Sequence, residues 1–518
     1  MLLLLKRLIV VLLCAALAYA QGDPRAIAQF EKAFAAAKKG RTPATPDARR
    51  AALAGLAAED SAKAAEVLAE AFAVICDECA AIDAERNKSL AEIAEILKGQ
   101  EASGNRVLPQ DKHARYNQLR EEVGKQREQG DALRVLQSEV GARIAQLRRK
   151  DALVHLLQKV CGSKSATLPL KLAAAKAIGN GAADVMPELA AALTRAREPE
   201  EQIALLDAMA LAGKTAQLHA TPVIALLASP TEAVSERAAL ALARIAVPEA
   251  VGPMIDLLSR SSGQFRLRVA SALEVLTGQQ HGINVGAWKA WWQAEGTAIA
   301  AGTVELGKGI PSHRKETNKN YYFGIPQDQS NAILYVLDCS DSMKAKVDFA
   351  TGETAAGGAG ETNRLEACKA ELVRALGLLR PEQKFAILWF NDMPHWYEQK
   401  MQAATKDNVA KAQAFVKGLK HASSTNIHDS LEQAFTLVGR GARDKYYGVE
   451  LDTVFLLTDG SPTRPDGSLD STEEILVSTR SWNPLKRVTI HAIAIGRDLN
   501  EGFLRQLATE NGGEFKRP

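Results

Sequence analysis

Apolar positions along this chain keep two different rhythms. Through the first half they recur every three or four residues, as on amphipathic helices; in the last third they gather into short continuous runs separated by helical patterns. The stretch from Thr45 to Ala73 reads as a helical pair, with Thr45 as N-cap and Pro46 at the first helical position. From His113 to Leu147 the positions Leu119, Val123, Leu133, Leu136, Val140, Ile144 and Leu147 keep the three-four spacing. Ile82, Leu90, Ile93, Ile96 and Leu97 do the same before a Gly104-Asn105 break, so two long antiparallel helices are predicted. In the last third, apolar runs and amphipathic segments alternate: Ile333–Leu337, Arg364–Leu379, Lys384–Phe390, Asn408–Leu419, Ile427–Val438, Thr453–Leu457, Thr472–Leu485, Val488–Ile495 and Leu499–Thr509. That alternation predicts a mostly parallel sheet with helices on both faces, its Val/Ile/Leu-rich strands buried on both sides.

Between these regions the chain repeats itself. Ala173–Ile178 is echoed by Leu205–Leu211, Ala238–Ile245 and Val269–Leu276, and Pro187, Pro222 and Pro253 each open a second helix of the unit. A period in the thirties with two helices per unit resembles the HEAT repeat family, whose members stack into a curved solenoid. Trp288, Trp291 and Trp292 follow the array at helical spacing, expected as a cap on the last repeat rather than an aromatic platform for a ligand. The expected organisation is multidomain: residues 1–20 a signal peptide, 21–150 an N-terminal helical region, 151–296 the repeats, 297–330 a linker, and 331–518 an α/β doubly wound (Rossmann-like) domain.

Composition narrows the function. Of 518 residues, 47% are hydrophobic and 24% charged, as in a folded domain protein, and the net charge of +3 gives no electrostatic case for nucleic acid. Lys6 and Arg7, the apolar run Leu8–Ala18 and Ala18-Tyr19-Ala20 form a secretory signal pattern with cleavage before Gln21, so an extracytoplasmic (periplasmic, envelope or secreted) protein without a later membrane span is expected. Removal of Cys14 leaves Cys76, Cys79, Cys161, Cys339 and Cys368, an odd number. Cys76 and Cys79 read as small buried helix residues, and a Cys339–Cys368 pair is the less favoured alternative to free thiols.

The chemistry concentrates in the last region. Ile333–Leu337 runs into Asp338-Cys339-Ser340-Asp341-Ser342, a D-x-S-x-S pattern whose three oxygen-bearing side chains project alike where a strand meets its loop. Thr453–Leu457 ends in Thr458-Asp459-Gly460, and Thr425 precedes the helical run from Ile427. Ligands of open α/β sheets bind at the carboxyl ends of strands, so Asp338, Ser340, Ser342, Thr425 and Asp459 form one candidate metal set. On these residues, 331–518 resembles a von Willebrand factor A (vWA) domain with its metal-ion-dependent adhesion site. The resemblance implies bound Mg²⁺ (or Mn²⁺ or Ca²⁺), with Ser340, Ser342 and Thr425 as direct or switching ligands and Asp338 and Asp459 acting largely through waters. It also implies a protein partner whose exposed acidic side chain completes the coordination. Asp341, Asn426 and Gly460 are expected on the partner-facing rim. Asp341 stands where the family usually has Gly, and Cys339 where it usually has a small or apolar residue. The residues 345–363 are long for a connection beside such a site. His428 is expected to face outward and is not counted as a ligand.

No G-x-S-x-G, H-E-x-x-H or phosphate-binding loop is present, so a binding module rather than an enzyme is expected. A metal-dependent hydrolase and an accessory subunit of a chelatase or ATPase assembly are the alternatives.

Overall fold

The computed structural model of the chain describes residues 23–35, 43–103, 110–301, 306–311, 320–346, 363–422, 424–436, 450–464, 467–496 and 499–518. The signal pattern, the Gly104-Asn105 break and most of 345–363 lie outside them. The chain divides into two compact units between Pro222 and Val223.

The first unit is helical: α1 (Pro24–Ala33), α2 (Pro46–Gly55), α3 (Ala62–Ser103), α4 (Gln110–Ile144), α5 (Lys150–His155), α6 (Leu168–Asn180), α7 (Met186–Arg195), α8 (Pro199–Ala212) and the start of α9 (Thr221–Ala225). Thr45 caps α2 by accepting from the Ala48 N–H. The second apolar run of that predicted pair is instead the opening of α3, which continues for 42 residues. The pairs Arg115–Glu92, Arg134–Asp83 and Gln137–Cys76 step along α3 and α4 in opposite directions, as antiparallel partners must.

The second unit begins with α10 (Glu232–Ile245), α11 (Val251–Arg260), α12 (Gly263–Thr277) and α13 (Val285–Ala300). The four sequence echoes fall on α6, α8, α10 and α12, and Pro187, Pro222 and Pro253 lie in the opening turns of α7, α9 and α11. Trp288 of α13 is fully buried and donates its indole N–H to the Gly282 carbonyl, the behaviour of a packed cap.

The α/β part contains β1 (Tyr321–Tyr322), β2 (Ile325–Pro326), β3 (Ala332–Asp338), α14 (Arg364–Gly377), β4 (Lys384–Phe390), β5 (Pro394–Trp396), β6 (Gln402–Ala403), α15 (Lys406–Gly418), α16 (Ile427–Thr436), β7 (Thr453–Thr458), α17 (Thr472–Trp482), β8 (Thr489–Ala494), α18 (Glu501–Glu510) and β9 (Phe515–Lys516). The sheet order is β5-β4-β3-β7-β8-β9. Strands β4, β3, β7, β8 and β9 run parallel, while β5 and β6 pair antiparallel with β4. Alternate strand residues feed two cores. Leu334, Val336, Leu388 and Leu456 pack under α16, α17 and α18, whereas Ile333, Tyr335, Leu337 and Ile387 pack under α14 and α15. Parallel strands covered on both faces are buried throughout, and all residues of β3, β7 and β8 are.

Part of the expected linker belongs to this packing. Tyr322 of the β1–β2 hairpin is buried edge-on against Tyr335 and Phe455, and Gln327 accepts from the Tyr335 hydroxyl at 2.6 Å. At the amino ends of the strands, α12 and α10 meet the sheet through buried charges. Glu236 pairs with Arg268 at 2.9 Å and with Arg487 at 3.3 Å. Among the described residues no helix is long and apolar enough to cross a membrane.

Candidate metal centre

Register places the site. Ile333 pairs with Thr453 and Leu337 with Leu457, so β3 and β7 end level and deliver Asp338 and Asp459 to the same edge of the sheet. Beyond β3 the backbone is pinned on both sides: Cys339 donates to the Phe390 carbonyl at 2.7 Å and accepts from Ala422 N at 2.8 Å. The single turn Asp341–Lys344 then folds Ser342 back toward Asp459.

Four of the five predicted residues are linked by hydrogen bonds, and Thr425 stands with Ser342 beside Gly460. Asp338 Oδ1 accepts from the Ser340 N–H at 2.8 Å, and its Oδ2 accepts from the Thr458 hydroxyl at 2.6 Å. Ser340 Oγ and Ser342 Oγ are 2.8 Å apart, and Ser342 Oγ donates to Asp459 Oδ1 at 2.6 Å. Thr425 is fixed by Thr463, whose hydroxyl accepts from Thr425 N at 2.7 Å and whose N–H donates to Thr425 O at 2.8 Å. A Cβ on Gly460 would stand 3.6 Å from Thr425 Oγ1 and 3.9 Å from Ser342 Oγ, so its absence leaves open the face that both hydroxyls line. Asp338, Ser340, Thr425 and Asp459 are buried; Ser342 is exposed. Burial, and next the charge of Asp459, push the Asp338 carboxyl up to about 7. Two carboxylates and three hydroxyls, with no nitrogen or sulfur among them, are a hard donor set suited to a small divalent cation. Two acidic groups close enough to feel each other's charge also favour a cation between them.

Two expectations need correction, one of the rim and one of the helix that follows it. Asn426 is fully buried: its amide donates to Asp392 O at 3.0 Å and to Asp429 Oδ2 at 2.8 Å, and its N–H to Asn391 O at 2.8 Å. It braces the start of α16 and does not face a partner. His428 is likewise buried, not outward: α16 is covered on two faces, and the imidazole packs edge-on to Trp482 of α17. With Asp429 and Glu432 it forms a cluster whose ligand atoms lie within 4.8 Å of one another, but the Asp429 carboxylate already accepts from the Asn426 amide at 2.8 Å and stands 3.0 Å from His428 Nδ1. Gly460 is half-buried and Asp341 exposed. Asp341 ion-pairs with Lys344 at 2.9 Å and stands 3.4 Å from His421 Nδ1, and the hydrogen bond to Lys344 holds its carboxyl below the usual range. Its charge is thus shared with neighbouring bases instead of aimed at the cluster. Cys339 and Cys368 are both buried free thiols, unpaired with each other.

Sequence reasoning missed the residues that hold the cluster in place, chiefly Thr463 and Arg364. Arg364 Nη1 donates to Asp459 Oδ2 at 2.8 Å. Its signal was legible: a cation at the first position of α14, straight after the N-cap Asn363, opposes the helix dipole and calls for another reason to be there.

The doubly wound, mostly parallel sheet is a vWA-like α/β fold. In agreement, the family description "von Willebrand factor type A domain" matches residues 354–516. That span includes Thr425 and Asp459 and begins after the Asp338–Ser342 loop. The chain is similar to inter-alpha-trypsin inhibitor heavy chain H4 of Homo sapiens, 24% identical over 224 residues, which is 42% of this chain and 21% of the relative. It is also similar to heavy chain H3 of Pongo abelii, 26% identical over 197 residues, 38% of this chain and 20% of the relative. The chain therefore spans about a fifth of the length of these relatives. A solved structure titled "von Willebrand factor type A from Catenulispora acidiphila" aligns at 19% identity and TM-score 0.28, covering 36% of this chain and 38% of that one.

Proposed function

We propose that the protein is a divalent-cation-dependent protein-binding module: Asp338, Ser340, Ser342, Thr425 and Asp459 hold Mg²⁺ or Mn²⁺, and an acidic side chain of a partner protein completes the coordination. The observation that carries this reading is the convergence of five oxygen-bearing side chains from three separate loops on one sheet edge. When bound, the cation supplies an open coordination position that attracts a carboxylate. The chain's own part is to hold the hydroxyls in place, keep two buried carboxylates beside them and leave the face above Gly460 clear. The similarity to inter-alpha-trypsin inhibitor heavy chains supports an interaction role.

In this reading the helix pairs of α6 to α13 form a HEAT-like scaffold, and the chain acts outside the cytoplasm, as the Ala18-Tyr19-Ala20 pattern implies. Export also counts against an accessory role in a cytosolic ATP-driven assembly. A hydrolase would need a base beside the cation. His428, the imidazole nearest Thr425 in sequence, is enclosed against Trp482 and out of reach of a substrate.

The test is calorimetric titration of Mg²⁺ and Mn²⁺ into the full chain, followed by capture of partners from envelope and secreted fractions with Mg²⁺ or with chelator. Saturable cation binding that Thr425→Ala weakens, with capture lost in chelator, is expected. Absence of cation binding together with equal capture in both conditions would sink the reading.

A further inference from the structure

We propose that Arg364 is a positioning residue that makes the site selective for a small octahedral cation over Ca²⁺, by occupying the second oxygen of Asp459. The inference rests on the metal reading above and adds what sets the choice of ion.

The guanidinium has a built seat. Arg364 leaves the first position of α14, crosses to Asp459 and lies over Gly496, in the loop after β8. Gly496 has φ +116, a backbone that side-chain-bearing residues rarely adopt, and a Cβ there would stand 2.7 Å from Arg364 Cζ and 2.8 Å from its Nη2. The same loop is held in place by Ile495, which donates to Thr458 O at 3.0 Å, and by Arg517, which donates to Gly496 O at 3.0 Å. The seat is therefore tied to the strand end that carries Asp459. The Asp459 side chain is fully enclosed and that of Arg364 is 15% exposed, so the pair is screened little by solvent.

The consequence concerns denticity. Asp459 has one oxygen on Ser342 Oγ and the other on Arg364; Asp338 has one on Ser340 N and the other on Thr458 Oγ1. Each of the four oxygens therefore has one lone pair taken, and the bonds that take them fix the plane of each carboxylate, so gripping an ion with both oxygens costs hydrogen-bond geometry. Ca²⁺ collects six to eight oxygens and often grips carboxylates by both, whereas Mg²⁺ takes six single-oxygen donors and keeps several as water. Arg364 also cancels one of the two carboxylate charges, and low ligand charge weakens Ca²⁺ sites. Of the four hydrogen bonds, the one from Arg364 is the only one given by a charged side chain, and it alone comes from outside the strand ends and the metal loop.

The experiment is calorimetric titration of Mg²⁺ and Ca²⁺ into the full chain as wild type, Arg364→Met, Arg364→Lys and Gly496→Ala. The wild type should bind Mg²⁺ more tightly than Ca²⁺. In Arg364→Met the ratio of the two affinities should fall about tenfold or more, the scale on which groups supporting metal ligands act. Arg364→Lys should keep most of the ratio, and Gly496→Ala, which pushes the guanidinium aside from a different loop, should follow Arg364→Met. A wild type that prefers Ca²⁺, or an Arg364→Met ratio equal to that of the wild type, would overturn the proposal while leaving the metal reading standing. A wild type that binds neither ion overturns both. If Gly496→Ala does not fold, Arg364→Met and Arg364→Lys decide the matter.

Discussion

Replacing Asp338 by asparagine separates the cost of the site from its use. The side chain is fully buried beside a second carboxylate, and the folded state pushes its carboxyl from 3.8 up to about 7. The unfolded chain ionises above pH 4, the folded one only near 7, so at pH 8 the native state carries a charge that burial disfavours. A rise of that size corresponds to roughly 4 kcal/mol as an upper bound. Asparagine keeps the shape, still accepts from Ser340 N through Oδ1, and needs only a turn of the Thr458 hydroxyl. In chelator at pH 8, Asp338→Asn should therefore unfold at or above the wild-type temperature. With Mg²⁺ the order should reverse. Cation at about a hundred times its dissociation constant stabilises the wild type by about 2.7 kcal/mol, or roughly 5–10 °C for a unit of this size. The mutant should gain nothing. Scanning fluorimetry of both chains, with Mg²⁺ and with chelator, reads all four states. A mutant that keeps the Mg²⁺ shift, or that melts well below the wild type in chelator, refutes the reasoning.

Three further outcomes are expected. Gly460→Ala places a methyl at ordinary contact distance from Thr425 and Ser342, on the open face of the cluster; it should leave the chelator-state melting temperature within about 2 °C of wild type, the range of an unstrained surface change, and abolish the Mg²⁺ shift. Asp452→Asn should remove a pH dependence. Burial pushes Asp452 up to about 6 against the Asn331 N–H, the Thr453 hydroxyl and the charge of Arg268, so its contribution is fully present near pH 4 and is lost as pH rises through 6. In urea denaturation the mutant should gain on the wild type by up to about 3 kcal/mol between pH 4 and pH 7.5, and an unchanged difference would refute the assignment. Glu236→Ala leaves Arg268 and Arg487 facing each other without their shared carboxylate where the helices meet the sheet; it should cost about 3–5 kcal/mol in the same assay, and a loss below 1 kcal/mol would mean that solvent reaches the pair.

The long strands were legible because burial on both faces fills them mostly with apolar residues: Lys384–Phe390 reads in the sequence with the bounds it has in the fold, and β3 and β7 extend by a residue or so. The short pieces β5, β6 and β9 were not. Two or three residues carry no periodicity, and each is a strand only because an edge of β4 or β8 offers it partners. The β1–β2 hairpin hid for a similar reason inside what reads as linker; Tyr322 belongs to the core through Tyr335 and Phe455, residues that sequence proximity does not connect to it. His428 was misplaced because an amphipathic pattern reveals one buried face of a helix. The face shared with Trp482 is a second, formed by α17 about fifty residues later.

The candidate site divides along the same line. Its donor residues sit where hydrophobic runs stop, so the pattern that predicts β3 and β7 also predicts Asp338 and Asp459. What arranges them comes from elsewhere in the chain. Arg364 grips Asp459 across 95 positions, Thr458 grips Asp338 across 120, and Thr463 holds Thr425 across 38. No local pattern encodes these ties, because each depends on parallel strands being brought level by crossover helices. Yet they govern the chemistry more tightly than the identity of the donors does: five hard oxygens accept many divalent ions, and only the engagement of their remaining lone pairs limits how many oxygens an ion can use. A chain with the same five donors but without a cation over Gly496 would present the same motif and a different site. On the proposed reading, the D-x-S-x-S pattern announces a metal centre, while the choice of ion and the strength of its pull on a partner's carboxylate would be properties of the sheet edge that Arg364 and Gly496 complete.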